Sequence, residues 1–189
     1  MGGSIEGPLD KLDYGRRPTT MMMPNFRNVT HQEMDFQGGY MPFFNATRSS
    51  WGNSPNAPFG EEFKNANSQP GPWHVWMMIQ GETIPKESNH VRLSSDQKDE
   101  WGIPLLSIDV DYDQNDEKML VDFYEEGKKM LESAGCTGIY TSDSKQAPGL
   151  DIHEMGGVRM GKDPKTSLLN ANHQLHAVPN VYVTDGASM

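Results

Sequence analysis

Only one stretch of this chain, Gln114 to Ala134, carries a helical period long enough for more than a few turns. Met119, Leu120, Phe123, Tyr124, Met130 and Leu131 recur at helical spacing, with Gly127 in the same stripe. Asp113 offers an N-cap, Asp116 and Glu117 place negative charge in the first turn, and Gly135 ends the helix. The other periodic segments are short. Trp73–Gln80 is an apolar run that reads as a strand covered on both faces or nearly so. His90–Leu93 and Leu105–Asp111 alternate: Leu106, Ile108 and Val110 face one way, and Ser107, Asp109 and Asp111 face the other. Trp101–Pro104 is the turn between them, and Thr137–Thr141 is a further short strand. The expected fold class is therefore α+β, an antiparallel sheet with a helix on one face.

The first third is less regular. Thr20–Phe26 and Tyr40–Ala46 read as short strands, but Pro24 and Pro42 interrupt them and predict edge positions or bulges. Asn53 to Pro72 holds four prolines and almost no period, so it reads as a long loop.

Composition narrows the function classes. The formal net charge of −10 repels phosphate backbones and anionic headgroups, which disfavours nucleic-acid and membrane-surface binding. No run of about 18 apolar residues exists, so no segment is expected to span a bilayer. The start of the chain lacks the basic-then-apolar order of a signal peptide. A single cysteine, Cys136, rules out an intrachain disulfide and disfavours a cysteine-based metal site. Hydrophobic residues make up only 35% of the 189 positions, and the 19 glycines bring the chain to an ordinary but not generous core composition.

The tail differs from everything before it. His153–Gly161 is a polar, glycine-punctuated loop with neither helical nor strand period. Pro179–Ser188 reads as a short buried strand ending in Asp185 and small residues. Gly156 and Gly157 allow close approach of backbone to another group, or positive φ. A histidine three residues earlier can be presented there, with an intrinsic pKa of ~6.5 that suits taking a proton from an alcohol. N–H groups after Asp185 suit phosphate, and its carboxylate suits a ribose or polyol hydroxyl. On residue types alone, a lone histidine beside glycines is more often an ordinary loop residue, and Asp-Gly after a strand is most often a turn.

Taken together, the words His-Glu-Met-Gly-Gly-Val-Arg-Met-Gly-Lys-Asp-Pro (from His153), Ser-Leu-Leu-Asn (from Ser167) and Pro-Asn-Val-Tyr-Val-Thr-Asp-Gly-Ala-Ser (from Pro179) resemble, in order and spacing, the C-terminal signature of glucose–methanol–choline (GMC) oxidoreductases. The family loop usually reads His-x-x-Gly-Thr-x-Arg-Met-Gly, so Gly157 stands where threonine is usual. The chain looks most like the sugar, gluconate and pyranose-type members. Tyr14–Pro18, Pro24–Asn28 and Glu82–Pro104 also look like the family's substrate domain, with less specific motifs.

The resemblance implies a substrate-binding domain over 1–147 and a truncated C-terminal piece of an FAD-binding domain over 148–189. It implies oxidation of CH–OH groups of an alcohol or sugar, with His153 accepting the hydroxyl proton as hydride passes to flavin N5. Met155, Gly156 and Gly157 would line the flavin edge, and Asp185 and Gly186 would contact the ribityl and pyrophosphate region of FAD. Arg159 is expected to tie the loop down by hydrogen bonds rather than touch substrate. No G-x-G-x-x-G follows a strand, and the chain stops before the stretch that holds the family's second catalytic residue. A piece of a larger flavoprotein is therefore expected, one that needs the missing FAD-binding portion and turns over little alone; its electron acceptor is unassigned. The alternative is a non-catalytic carbohydrate-binding or scaffolding module derived from such an enzyme.

Other features have blander readings. His173 and His176 lack a third ligand and are expected at the surface, so no metal site is assigned. His31 and His90 are single, and His74 reads as a satisfied structural histidine. Met21–Met23 and Met77–Met78 are expected to pack rather than shape a pocket. Asp109, Asp111, Asp113 and Asp116 lack the central glycine of a calcium loop. Trp73 and Trp76 are expected in the core, with sugar stacking as the lesser reading.

Overall fold

The computed structural model describes residues 1–7, 20–48, 59–68, 72–150 and 152–189. It divides into two compact units, Met1–Ile84 with Asp113–Ser144, and Pro85–Tyr112 with Lys145–Met189. The mixed helix-and-sheet architecture expected from the sequence holds, and every strand pairing in the sheets is antiparallel.

The first unit is built on a five-stranded sheet formed by β1 (Gly2–Ile5), β2 (Met21–Met22), β3 (Tyr40–Arg48), β4 (Trp73–Gly81) and β7 (Thr137–Tyr140) in the order β2-β3-β4-β1-β7. β4 is central and pairs with β3 over nine residues, from Tyr40 opposite Gly81 to Arg48 opposite Trp73. Covered on both faces it is not: Met77 is buried, but His74 and Met78 are exposed, and His74 Nδ1 lies 3.2 Å from Ser4 Oγ. Trp73 and Trp76 are half-buried. Pro42 sits inside β3 rather than at a bulge. Its carbonyl accepts from Met23 N–H at 2.9 Å, so its missing N–H faces β2, which is only two residues long, and the ladder to β4 is untouched.

The long helix, α2 (Gln114–Ser133), forms where its period predicts. Asp113 accepts from Asn115 N–H and its own N–H donates to the Asp116 carboxylate at 2.9 Å, a capping box. At the other end Gly135 adopts φ +83, with Gly135 N–H donating to Glu132 and Cys136 N–H to Leu131, a Schellman ending. Its buried stripe joins Phe36, Tyr40, Met77 and Cys136 in one core through Met119, Phe123 and Leu131. The Tyr40 ring meets Phe26 and Phe123 edge to face, at 5.6 and 6.0 Å.

One member of that stripe is charged. The Asp122 carboxylate is nearly buried and accepts from Arg27 Nε and Nη2, both at 2.8 Å, and from Tyr40 Oη at 2.6 Å. Arg27 also reaches Glu126 at 3.3 Å and lies over the Phe26 ring. Burial, and then the hydrogen bond to Asp122 and its charge, push the Tyr40 phenol well above its ordinary value of 10.0. A phenol raised in the folded state contributes stability below the unfolded pKa and loses it as pH rises through the folded one. Stability of the wild type relative to Tyr40→Phe is therefore expected to be constant below about pH 10 and to shrink above it. Urea unfolding of both proteins between pH 8 and 11 measures this; parallel curves over the whole range would contradict it.

The 14–18 motif lies outside the described residues, as does much of 53–72. Within the latter, the expected long loop contains a helix, α1 (Glu61–Ser68), with Glu61 and Glu62 in its first turn.

The second unit contains a separate hairpin, β5 (His90–Lys98) and β6 (Pro104–Asp109), rather than two further strands of the main sheet. Val91 stands opposite Ile108 and Leu93 opposite Leu106, so one face is apolar, as the alternation predicts. Yet this is the more exposed face: Leu106 is 67% accessible, while Ser107 and Asp109 are partly covered. The Asp109 carboxylate holds Arg92 at 3.1 Å and His90 at 3.4 Å across the ladder. No group of three or more metal-ligating side chains occurs among the described residues, and none of the helices described is long and apolar enough to cross a membrane.

Candidate active site

Residues 152–189 hold together through backbone hydrogen bonds around two fully buried side chains, Leu169 and Ser188. Leu168 and Leu169 both donate to the Arg159 carbonyl, and Gly161 N–H donates back to Leu169 O at 2.8 Å. A side chain at Gly161 would overlap Ser167, so that crossing requires glycine. Asn170 Oδ1 accepts from Asn172 and Gln174 N–H and turns the chain back. His176 Nε2 lies 3.1 Å from the Gly161 carbonyl; a carbonyl only accepts, so this nitrogen carries the proton.

The histidines expected at the surface are in fact half-buried. His176 braces the crossing, and His173 sits at φ +59 with Nδ1 buried and unpartnered. The expected buried strand around Val181–Val183 is a single bridge, Tyr182 to Gln174, with Val181 and Tyr182 exposed. None of the described residues of this unit covers their apolar side chains fully.

The structure brings the two functional words of the sequence together. Val158 N–H donates to Ala187 O at 2.8 Å and Met160 N–H to Ser188 O at 3.2 Å, which fixes the glycine loop against the last turn of the chain. Gly186 lies so close to Glu154 that a Cβ there would sit 3.1 Å from the Glu154 carbonyl. The backbone next to His153 is thus held beside the backbone next to Asp185. His153 and Met155 are exposed.

Gly156 adopts φ +84, which glycine alone takes without strain. Gly157 is in an ordinary conformation, with Ala187 Cβ 3.9 Å from the position of an added Cβ. Gly156→Ala is therefore expected to cost about 1–2 kcal/mol, and Gly157→Thr to stay within about 0.5 kcal/mol. Thermal denaturation of the two variants tests the contrast, and equal losses would contradict the assignment.

Asp185 is placed differently from expectation. Its carboxylate caps the short 3₁₀ turn Gly186–Ser188, accepting from Ala187 N–H at 3.0 Å. The Asp185 carbonyl takes Ser188 N–H and Ser188 Oγ, and Met189 N–H donates to Gly186 O. Of the N–H groups expected to point outward, those of Ala187, Ser188 and Met189 are consumed within the turn. One carboxylate oxygen is left to accept from a hydroxyl.

Arg159 differs as well. Its guanidinium makes no hydrogen bond among the described residues, and the loop is tied by the Arg159 carbonyl instead. Gly156, Gly157 and Arg159 line an open cleft of about 260 Å³ with Pro164, Lys165, Thr166, Ser167 and Leu168. No motif in the sequence marks this second wall as part of a site.

A family model described as GMC oxidoreductase matches residues 85–189, more than half of the chain. The chain is 40% identical to paromamine 6'-oxidase of Streptomyces fradiae over 56% of its own length and 19% of that protein. It is 34% identical to 2-methyl-1,2-propanediol dehydrogenase of Mycolicibacterium austroafricanum, over 74% of this chain and 24% of the relative. With gluconate 2-dehydrogenase flavoprotein of Pantoea cypripedii the identity is 30%, over 71% and 22%. The chain thus spans about a fifth to a quarter of the length of these relatives. The family match covers both the loop carrying His153 and the turn carrying Asp185, the segments that fold against each other, and this chain belongs to the GMC oxidoreductases, alongside their sugar-type members.

Proposed function

We propose that this chain forms the substrate-side and loop portion of an FAD-dependent oxidoreductase that oxidises CH–OH groups of an alcohol or sugar. Residues 1–147 serve the substrate, and 148–189 complete the FAD-binding domain. The observation that carries this reading is the seating of the His153–Gly161 loop on the 185–189 turn by the Val158 and Met160 hydrogen bonds.

The residues present fit a bound flavin in part. Neither the Gly156 nor the Gly157 N–H has an acceptor among the described residues, and neither position carries a side chain, so backbone can lie against a planar ring system and donate to it. Asp185 can accept one hydroxyl of the cofactor; Gly186, packed on Glu154, positions that carboxylate. The N–H groups of Ala187 and Ser188 do not fit a pyrophosphate, because they are already bonded within the turn. When bound, FAD would supply the hydride acceptor. His153 holds the base: an exposed imidazole on a loop fixed downstream at Glu154, Val158 and Met160 takes the hydroxyl proton of a substrate placed beside it.

The stand-alone binding module is the weaker reading. It requires a self-sufficient core, whereas Met155, Tyr182, Val181 and the apolar hairpin face are exposed in the second unit. Such surface fits further polypeptide of the same protein. The test is purification of the full-length protein and anaerobic titration of its flavin absorbance with a panel of polyols and sugars. Bleaching by at least one of them supports the proposal; a colourless protein without nucleotide refutes it.

A further inference from the structure

We propose that Ser188 is a positioning residue of the cofactor site: its buried hydroxyl holds the Asp185 carbonyl, and so sets the direction in which the second Asp185 carboxylate oxygen meets a hydroxyl of FAD. This rests on the reading above, and adds to it the residue that orients the acceptor. Only two polar side chains are buried among the described residues, Asp122 and Ser188. Asp122 belongs to the core network of the first unit. Ser188 is 1% exposed, and a hydroxyl at that depth is costly unless it is bonded.

Its one proton goes to the Asp185 carbonyl at 2.8 Å, where the Ser188 N–H already arrives at 3.1 Å. The N–H alone is enough to close the turn. The hydroxyl is a second donor to the same oxygen, and two donors from different atoms restrict the rotation of that peptide more than one does. Asp185 is extended, at φ −101 and ψ −172, and its Oδ1 accepts from Ala187 N–H at 3.0 Å. With backbone and side chain both held, the other carboxylate oxygen of this exposed residue is aimed in one direction. Gly186 places the turn against Glu154, and Ser188 sets how the turn is rotated.

The same residue seats the histidine loop. Ser188 O accepts from Met160 N–H at 3.2 Å, beside the bond from Val158 N–H to Ala187 O. Ser188 thus meets Asp185 through its hydroxyl and the loop through its carbonyl. Alanine at this position keeps the main-chain bond to the loop and loses only the second hold on Asp185. The effect is therefore expected in cofactor affinity.

The experiment strips the full-length protein of flavin and titrates it with FAD, followed by flavin fluorescence, in the wild type, Ser188→Ala, Asp185→Asn and the double variant. Ser188→Ala should raise the FAD dissociation constant about 2–10-fold, the range for one hydrogen bond. Asp185→Asn keeps an amide oxygen for Ala187 N–H but has no second acceptor oxygen. Adding Ser188→Ala to it should therefore change the affinity less than about twofold. A serine with a merely structural role would lower the melting temperature and leave the affinity where it was. Ser188→Cys, similar in size and a weaker donor, should follow Ser188→Ala and separates the lost hydrogen bond from a lost volume.

An FAD affinity that neither Ser188 variant changes, or that falls by the same factor in the Asp185→Asn background, would overturn the positioning role and leave the oxidoreductase reading standing. A wild-type protein that takes up no FAD would sink that reading, and this role with it.

Discussion

Replacing His153 by alanine in the flavin-loaded full-length protein is expected to slow anaerobic flavin reduction by an alcohol about 10²–10⁴-fold, the contribution of a positioned general base. The expectation follows from placement. His153 is exposed, and its chain neighbour Glu154 is pinned by contact with Gly186. Downstream, hydrogen bonds from Val158 and Met160 to the final turn fix the loop. A base held on a fixed loop needs little reorganisation to meet a hydroxyl. The role proposed for the imidazole is on the proton in transit, so the loss should fall on the reduction rate constant, with substrate affinity changed only a few-fold. The substitution removes no hydrogen bond within the described residues and should leave thermal stability unaltered. Stopped-flow reduction over a range of substrate concentrations separates the two quantities. A variant that reduces its flavin at the wild-type rate would remove His153 from the mechanism, and a variant that loses its flavin would make it a cofactor-binding residue instead.

The second large effect concerns stability. Asp122→Ala is expected to cost about 3–5 kcal/mol, the range for breaking a buried ion pair by removing one partner. Asp122 accepts three hydrogen bonds of 2.6–2.8 Å from two side chains. Without it, Tyr40 Oη is left buried and unbonded, and Arg27 retains Glu126 alone. Replacing both charges, Arg27→Leu with Asp122→Leu, is expected to cost less than the single change, because no uncompensated charge remains. Denaturant unfolding of the two variants checks the order. If the double variant were the less stable, the network would be supplying more than mutual neutralisation.

The helix was legible in the sequence to its caps, because an amphipathic period, an N-terminal Asp and a C-terminal Gly are local signals that local physics obeys. Asp122 lay within the same stripe but was invisible as a core residue. Its partners, Arg27 and Tyr40, come from segments more than 80 positions away in sequence. Pro42 misled for a related reason. Whether a missing N–H matters depends on which neighbour it faces, and the two-residue length of β2 decided that. The hairpin alternation gave the correct pairing of faces but the wrong wet side, since alternation tells which side chains share a face and not what covers that face.

For the candidate site, the sequence by itself determined the family and offered the candidate residues, since glycines, a histidine and an Asp-Gly turn at set spacing form a readable local pattern. Only the tertiary structure decided what those residues are free to do. It brought the His153 loop onto the 185–189 turn, spent the N–H groups of Ala187, Ser188 and Met189 on that turn, and left the guanidinium of Arg159 without a hydrogen bond among the described residues, at a cleft with Lys165. The physical reason is that a hydrogen-bonding group has finite capacity. Its type is written in the chain, but whether a partner elsewhere in the fold has already claimed that capacity is settled only when distant segments meet.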